Sequence, residues 1–500
     1  MALRNQSSNR QSPNGRKATP KRRARKSPRL NAQVFSDLLS WFIGEVQLFA
    51  KDRFHGNVKW LPEELVAQAF IWAWHEAKNV TDAFDQADEV CSRLELDRIA
   101  KSYTSFMNAL HTHRVVMQRR LRLRFQELAE QVAGRFWFTD QWVLLGFDGS
   151  RATTPRSVDN EKAFCAPNYG KSSKAKTRKK KAAAKIEAGQ RQASKQSHPQ
   201  VPQTWITMMW HMSLKLPWTW RLGPSNSCER QHVTEMIQQE DYAENALFCG
   251  DAGFVGYPLW KEILTAGKHF LVRVGANVHL LSDHADILEV GGGSVLCWPK
   301  GQMKAGGKPL QLRLVRVTLG KTKAWMLTSV LDEERLPQNK IVTYYKMRWG
   351  IEVEFRGLKQ TLDKHTLRCR NSDRVLVELD WSLRAMAVAE LMALSQQIKQ
   401  PNPKEEEDEI AYDPKHRSLA NTMRAIRKAM RNLSEASEGK NDLLEQLRDA
   451  LVQKYENHTD KKSRYRPENK DKKPLGDPQV REMTDDEREK LRKTIASLAA

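Results

Sequence analysis

Two short apolar runs constrain what this 500-residue chain can fold into. Trp142-Val143-Leu144-Leu145-Gly146-Phe147 and Ala246-Leu247-Phe248-Cys249-Gly250 are continuously apolar, and each is followed by an aspartate, Asp148 and Asp251. Runs of this length without alternation mark strands buried on both faces, which a sheet needs helices on each side to achieve. A carboxylate ending such a strand is held at the sheet edge, where open α/β sheets bind ligands.

The surrounding pattern agrees with an α/β core. Trp205–Leu214, Trp218–Leu222 and Phe270–Val274 read as strands, with helical stretches from about residue 229 and over Pro258–Ala266. Leu310–Leu319 alternates and Trp325-Met326-Leu327-Thr328 follows it, so 275–330 reads as a β-rich insertion. Residues 31–135 carry apolar residues at helical spacing, with Arg114, Arg119, Arg120, Arg122 and Arg124 grouped near one end. The period is helical again over 338–362 and 375–398.

Charge points to the partner. Lys and Arg number 83 against 60 Asp and Glu, a formal +23, as expected of a chain that meets a polyanion. The excess is concentrated: 1–30 holds ten Lys/Arg and no acid, and 171–197 holds ten against Glu187 alone. Both segments are poor in apolar residues and read as arms that hold nucleic acid without reading its sequence. No apolar stretch reaches the roughly 18 residues of a membrane span. No apolar run follows the basic N-terminus, so a secretory signal is not expected and a cytoplasmic, nucleoid-associated location is. Six scattered cysteines without a C-x-x-C pair exclude a disulfide framework or structural zinc site. No G-x-x-x-x-G-K-[ST] loop implies a nucleotide cofactor.

The chemistry is carried by Tyr345, Arg348, Glu352 and Lys359. At about 100° per residue these four fall within a stripe about 60° wide on one helix face, while Glu354 falls on the opposite face. One carboxylate, two cations and a phenol are wrong for an apolar core and right for an anionic ligand; a solvated face with an Arg348–Glu352 pair is the plain alternative.

This spacing, Tyr-x2-Arg-x3-Glu-x6-Lys with Trp349 and Ile351 between, resembles the Y-R-E-K signature of insertion-sequence transposases of the "IS four" type in the DDE superfamily. Phe147-Asp148-Gly149-Ser150 and Gly250-Asp251-Ala252-Gly253 resemble the other two catalytic regions of that family. The resemblance spans about 142–365. It implies an α/β catalytic core with a ribonuclease H-like mixed sheet, a β-rich insertion, and flanking helical N- and C-terminal domains. The expected organisation is a basic arm (1–30), a helical DNA-binding domain (31–135) and a catalytic domain (136–398) containing the 171–197 loop and the 275–330 insertion. A linker (399–418) and a helical C-terminal region (419–500) complete it.

The resemblance further implies Asp148, Asp251 and Glu352 as catalytic residues and metal ligands, with Mg²⁺ as cofactor and Mn²⁺ as substitute. Tyr345, Arg348 and Lys359 would bind DNA phosphate, and Trp325 would stack on a flipped base, although a core tryptophan is the plain reading of that position. The partners would be double-stranded DNA, both transposon ends and target, and a second copy of the chain, with the helices of 375–455 joining the dimer. The implied function is metal-dependent DNA cleavage and strand transfer in cut-and-paste DNA transposition. The rival readings are a nuclease of the same fold without strand transfer, and a catalytically silent DNA-binding derivative.

Overall fold

The computed structural model describes residues 29–44, 48–52, 54, 57–165, 201–320, 322–398, 413–452 and 475–499. Nearly all of the 1–30 arm, the whole 171–197 loop and residues 399–412 of the expected linker lie outside the described residues.

Five helices open the fold: α1 (Asn31–Ile43), α2 (Pro62–Trp74), α3 (Val80–Arg93), α4 (Tyr103–Thr112) and α5 (Arg114–Ala133). Their starts follow local chemistry. Pro62 supplies a preset φ at the first turn of α2, while the Asn79 and Ser102 side chains accept the backbone N–H groups of Asp82 and Ser105. Then come β1 (Val143–Thr153), α6 (Val158–Phe164), β2 (Gln203–His211), β3 (Leu216–Gly223), α7 (Glu229–Gln239), β4 (Ala246–Gly250), α8 (Tyr257–Thr265) and β5 (His269–Val274). The 275–330 segment forms β6 (His279–Ser282), β7 (Gly292–Cys297), the short α9 (Lys300–Lys304), β8 (Leu310–Leu319) and β9 (Thr322–Thr328). The chain closes with α10 (Gln338–Met347), α11 (Gly350–Gln360), α12 (Ser372–Ile398), α13 (Leu419–Arg431), α14 (Leu443–Arg448), β10 (Gln479–Glu482) and α15 (Asp485–Ala499).

Among the described residues the strands form one ten-stranded sheet, ordered β10-β6-β7-β8-β9-β5-β4-β1-β2-β3. At its centre β1, β4 and β5 run parallel, and β2 and β3 continue antiparallel beyond β1. The mixed α/β sheet that the sequence implied is therefore present, and the insertion extends it through antiparallel β6 to β9. Every residue of β4 is buried, as its continuous apolar run requires.

Four expectations change. The strand after Trp142 does not stop at Asp148: pairing with β2 carries β1 on to Thr153, whereas its parallel pairing with β4 ends at Gly146↔Cys249. Asp148 thus sits where β1 and β4 part, not at a strand end. The single helix expected over 338–362 is two, parting at Arg348 and Trp349; at the start of the second, Gly350 packs so closely on the Trp210 indole of β2 that a Cβ there would collide with the ring. The C-terminal region is not wholly helical. Its β10 pairs in parallel with β6 on the outer edge of the sheet, a non-local pairing that the polar Gln479–Glu482 segment does not announce. The linker also ends early, since Arg417 is buried, donates to the Leu214 carbonyl and faces Glu390 at 3.7 Å.

Helix α12 is the axis of the helical layers. It is buried on all sides, the pattern of a central helix rather than a surface one. Trp74 of α2 donates its indole N–H to the Ala385 carbonyl at 2.8 Å, and Phe70 meets Trp381 edge-on at 5.5 Å. The helices of 31–135 thereby share one hydrophobic core with α12 and the sheet. With α13 and α14 also packed against it, α12 is unavailable as the dimer surface expected over 375–455. The charges along α12 are paired: Glu378 with Lys364 at 3.0 Å, and Asp380 with Arg384 at 2.9 Å and with the Trp220 indole. No helix among the described residues is long and apolar enough to cross a membrane.

Candidate active site

Three elements bring the predicted acids together. β1 presents Asp148, the turn after β4 presents Asp251, and the first turn of α11 presents Glu352. Extending the β1–β4 register by two residues sets Asp148 level with Asp251. Each aspartate is held by its own local turn: Asp148 Oδ1 accepts the Gly149 N–H at 2.8 Å, and Asp251 Oδ1 accepts the Gly253 N–H at 2.7 Å. Glu352 gains from the partial positive charge of a helix N-terminus.

Arg348 crosses between two of them. Its side chain is only 6% exposed; Nη1 lies 3.6 Å from Asp148 Oδ2 and Nη2 lies 3.9 Å from Glu352 Oε1. These are charge contacts rather than hydrogen bonds, and Nε and Nη1 are buried without a hydrogen-bond partner. Tyr345 lies beneath the same guanidinium, 5.5 Å from ring centre to Cζ. Lys359 reaches β1 one residue pair beyond Asp148, donating to Ser150 Oγ at 2.7 Å, and burial pulls its pKa down. Burial raises the Asp148 carboxyl above its ordinary range; the Gly149 N–H and Arg348 oppose this, and Asp251 and Glu352 add to it.

Glu354 points elsewhere, as the helix-face geometry requires. It is buried against Glu390, and burial followed by that neighbouring carboxylate pushes it well above the usual carboxylate range. Trp325 is not part of the cluster either. It lies 3% exposed on β9, its indole N–H donating to Asp477 Oδ1 at 2.7 Å and its face covered by Arg316 at 5.3 Å. As folded, no face of Trp325 is open to a base, and the core reading of that residue is the one the packing supports. The α5 arginines are largely structural: Arg120 pairs with Asp52 and Arg122 with Glu240, and Arg124 donates to the carbonyls of Trp41 and Phe42.

Two residues beside the site are not among those the sequence expects to act there, Trp349 being read only as part of the Y-R-E-K spacing. Trp349, at the break between α10 and α11, is 60% exposed beside Arg348, with Val353 exposed one turn on. Glu229, at the start of α7, is half-buried near the aspartates; burial, then Asp148 and Asp251, pushes it up to about 7. No motif spacing marks Glu229, because the strand it rests on, at Asp148 and Gly149, lies about 80 residues earlier in the chain.

Among the described residues no three Asp, Glu, His or Cys side chains close tightly enough to hold a metal ion unaided, the Arg348 guanidinium lying between Asp148 and Glu352. The donor set nevertheless fits a hard divalent cation: carboxylate oxygens on three separate elements, with Asp148 raised by crowding and burial that a cation would offset. The site lies on an open face. A cavity of about 550 Å³ between α5, β3 and α12, lined by Trp218, Trp220, Arg122 and Arg384, contains none of its residues.

Residues 171–388 match the family described as "Transposase DDE domain". Transposase InsG for insertion sequence element IS4, from Escherichia coli (strain K12), is 26% identical over 228 residues, 44% of this chain and 48% of the relative. Over these residues the chain is similar to DDE transposases of the IS4 type. A second transposase by name, y4zB of Sinorhizobium fredii (strain NBRC 101917 / NGR234), is 27% identical over 165 residues, 31% of this chain and 45% of that one. The chain spans about half the length of the curated relatives it matches. Among solved structures, a piggyBac transposase synaptic complex with hairpin DNA aligns over 86% of this chain and 84% of that one, at 13% identity and a TM-score of 0.37. The family match begins at residue 171, so Asp251 and the Tyr345–Lys359 stripe lie inside it and Asp148 lies before it.

Proposed function

We propose that this chain cuts the ends of an insertion sequence and joins them to target DNA. The observation that carries the reading is the convergence of Asp148, where β1 and β4 part, Asp251, just after β4, and Glu352, in the first turn of a helix, near the buried Arg348.

Asp148, Asp251 and Glu352 would hold divalent ions. Such ions, Mg²⁺ with Mn²⁺ as substitute, supply activation of an attacking oxygen and stabilisation of a leaving 3′ oxygen. The chain's own groups bind and orient the DNA. Arg348, whose Nε and Nη1 have no hydrogen-bond partner, would turn toward a phosphate oxygen, and Lys359 can turn from Ser150 to a neighbouring phosphate. Tyr345 stacks under Arg348 and orients it. Trp349, exposed beside this cluster, offers a ring to an unstacked base, the role that buried Trp325 does not fill.

In the first step a water oxygen attacks phosphorus and the 3′ oxygen leaves. In the second, that 3′-OH attacks a target phosphodiester and one bond forms for each one broken, so no nucleotide cofactor is required. Acting at two ends at once implies a dimer in the DNA complex, with the basic 1–30 and 171–197 segments holding the backbone.

The rival nuclease reading is separated by product analysis. With DNA carrying the inverted repeats that bound the gene, the chain is expected to give joined target products as well as nicks. Nicks without joined products would leave only the nuclease, and neither product despite DNA binding would leave the silent derivative.

A further inference from the structure

Strand alternation divides the residues around Asp148 between two faces. Ser150, and with it Asp148, faces α11, as the Lys359 hydrogen bond to Ser150 shows. Gly149 faces α7, where its missing side chain leaves room for Glu229. A Cβ at Gly149 would lie 2.6 Å from the Glu229 carboxyl carbon and would collide with Oε1. The Glu229 carboxylate therefore rests on the backbone one residue from Asp148, with Asp251 close enough to act on it electrostatically.

This position is not explained by helix capping. A first-turn glutamate gains from the helix N-terminus with its side chain in solvent. Glu229 instead folds back against β1, half-buried, with no hydrogen bond or ion pair to another described residue. The nearby cation Arg151 is stacked on the Trp205 ring at 4.2 Å. On the other side of β1, Arg348 is more than nine-tenths buried, its Nη1 lies 3.6 Å from Asp148 Oδ2, and its Nε and Nη1 have no hydrogen-bond partner. The two faces thus leave groups of opposite charge unsatisfied around one point of the strand, as a site does that expects a cation and a phosphate together.

We propose that Glu229 is a fourth carboxylate of the cluster, a ligand for the divalent cation held by Asp148, approaching it from the face of β1 opposite Glu352. Gly149 is the residue that lets it approach. The proposal rests on the metal-dependent reading of Asp148, Asp251 and Glu352, and extends it to a residue outside the Y-R-E-K stripe and the two aspartate motifs.

The test is Mn²⁺ titration of the full chain by calorimetry, with Glu229→Gln, Glu229→Asp and Asp148→Asn beside the wild type. Glu229→Gln is expected to weaken Mn²⁺ binding by at least about tenfold and to raise the Mn²⁺ concentration needed for nicking by the same factor. Its melting temperature without metal should be that of the wild type. Glu229→Asp, which keeps the charge on a shorter arm, should fall between. Binding by both Glu229 variants within about twofold of wild type, with Asp148→Asn impaired, would overturn the role of Glu229 and leave the three-acid site standing. If Asp148→Asn also binds normally, the three-acid reading fails with it.

Discussion

Asp148→Asn and Asp251→Asn are each expected to lower divalent-metal-dependent nicking by about a thousandfold or more, on the order of 4 kcal/mol of transition-state stabilisation. DNA binding should be nearly unchanged, because the groups expected to hold phosphate are Arg348, Lys359 and the basic segments rather than the acids. The substitution removes a charge without changing shape, and the Gly149 and Gly253 N–H bonds that hold the two carboxylates have an amide oxygen to accept them. Asp148 is the more telling of the two. It stands where β1 and β4 part, level with Asp251 and 3.6 Å from Arg348. Gel-shift and nicking assays on the same preparations measure the two properties separately. A variant that loses both in parallel would mean that Asp148 maintains structure and not chemistry.

The second large effect is on stability. Glu378 of α12 is fully buried and accepts Lys364 Nζ at 3.0 Å and the N–H groups of Arg368 and Cys369 at 2.9 and 3.0 Å. It thereby ties the segment after α11, the helix that carries Glu352, to the central helix. Burial would push its carboxyl up, but Lys364 and these N–H groups together hold it below the usual range. Lys364→Met leaves a buried carboxylate without its cation and is expected to cost about 3–5 kcal/mol in urea denaturation. The folded pKa is depressed, so the contribution of this carboxylate is present above its unfolded pKa and is lost as pH falls through the folded value. The cost of Lys364→Met should accordingly shrink in acid. Adding Glu378→Gln to Lys364→Met should recover part of the loss at neutral pH. A neutral-pH cost below about 1 kcal/mol would show that the pair contributes little.

How much of this was legible in the sequence depended on how local each signal was. The runs ending at Phe147 and Gly250 announced central strands because burial on both faces leaves no other composition. Helical periodicity separated Glu352 from Glu354, and the structure puts the first near Arg348 and the second against Glu390. The close seat of Gly350 on Trp210 was invisible, since Trp210 lies 140 residues earlier in the chain. β10 was missed for the same reason: one apolar residue, Val480, on a polar segment becomes a strand only because β6 offers an edge. Glu229 had no pattern at all, as its place beside Asp148 depends on the path of two intervening strands and on a glycine that happens to face it. Trp325 shows the converse error. A residue type suited to stacking on bases serves equally well in a core, and its Asp477 partner lies 152 residues away.

The central claim is that Glu352, on the Arg348 face of α11, completes a metal-dependent site with the two strand aspartates. The most direct measurement is nicking of supercoiled DNA by the wild type, Glu352→Gln and Glu354→Gln, with and without Mg²⁺ or Mn²⁺. The expected result is nicking only with the divalent ion, retained by folded Glu354→Gln and abolished in Glu352→Gln. Wild-type nicking by Glu352→Gln, or nicking by any of the three in the presence of chelator, would contradict it.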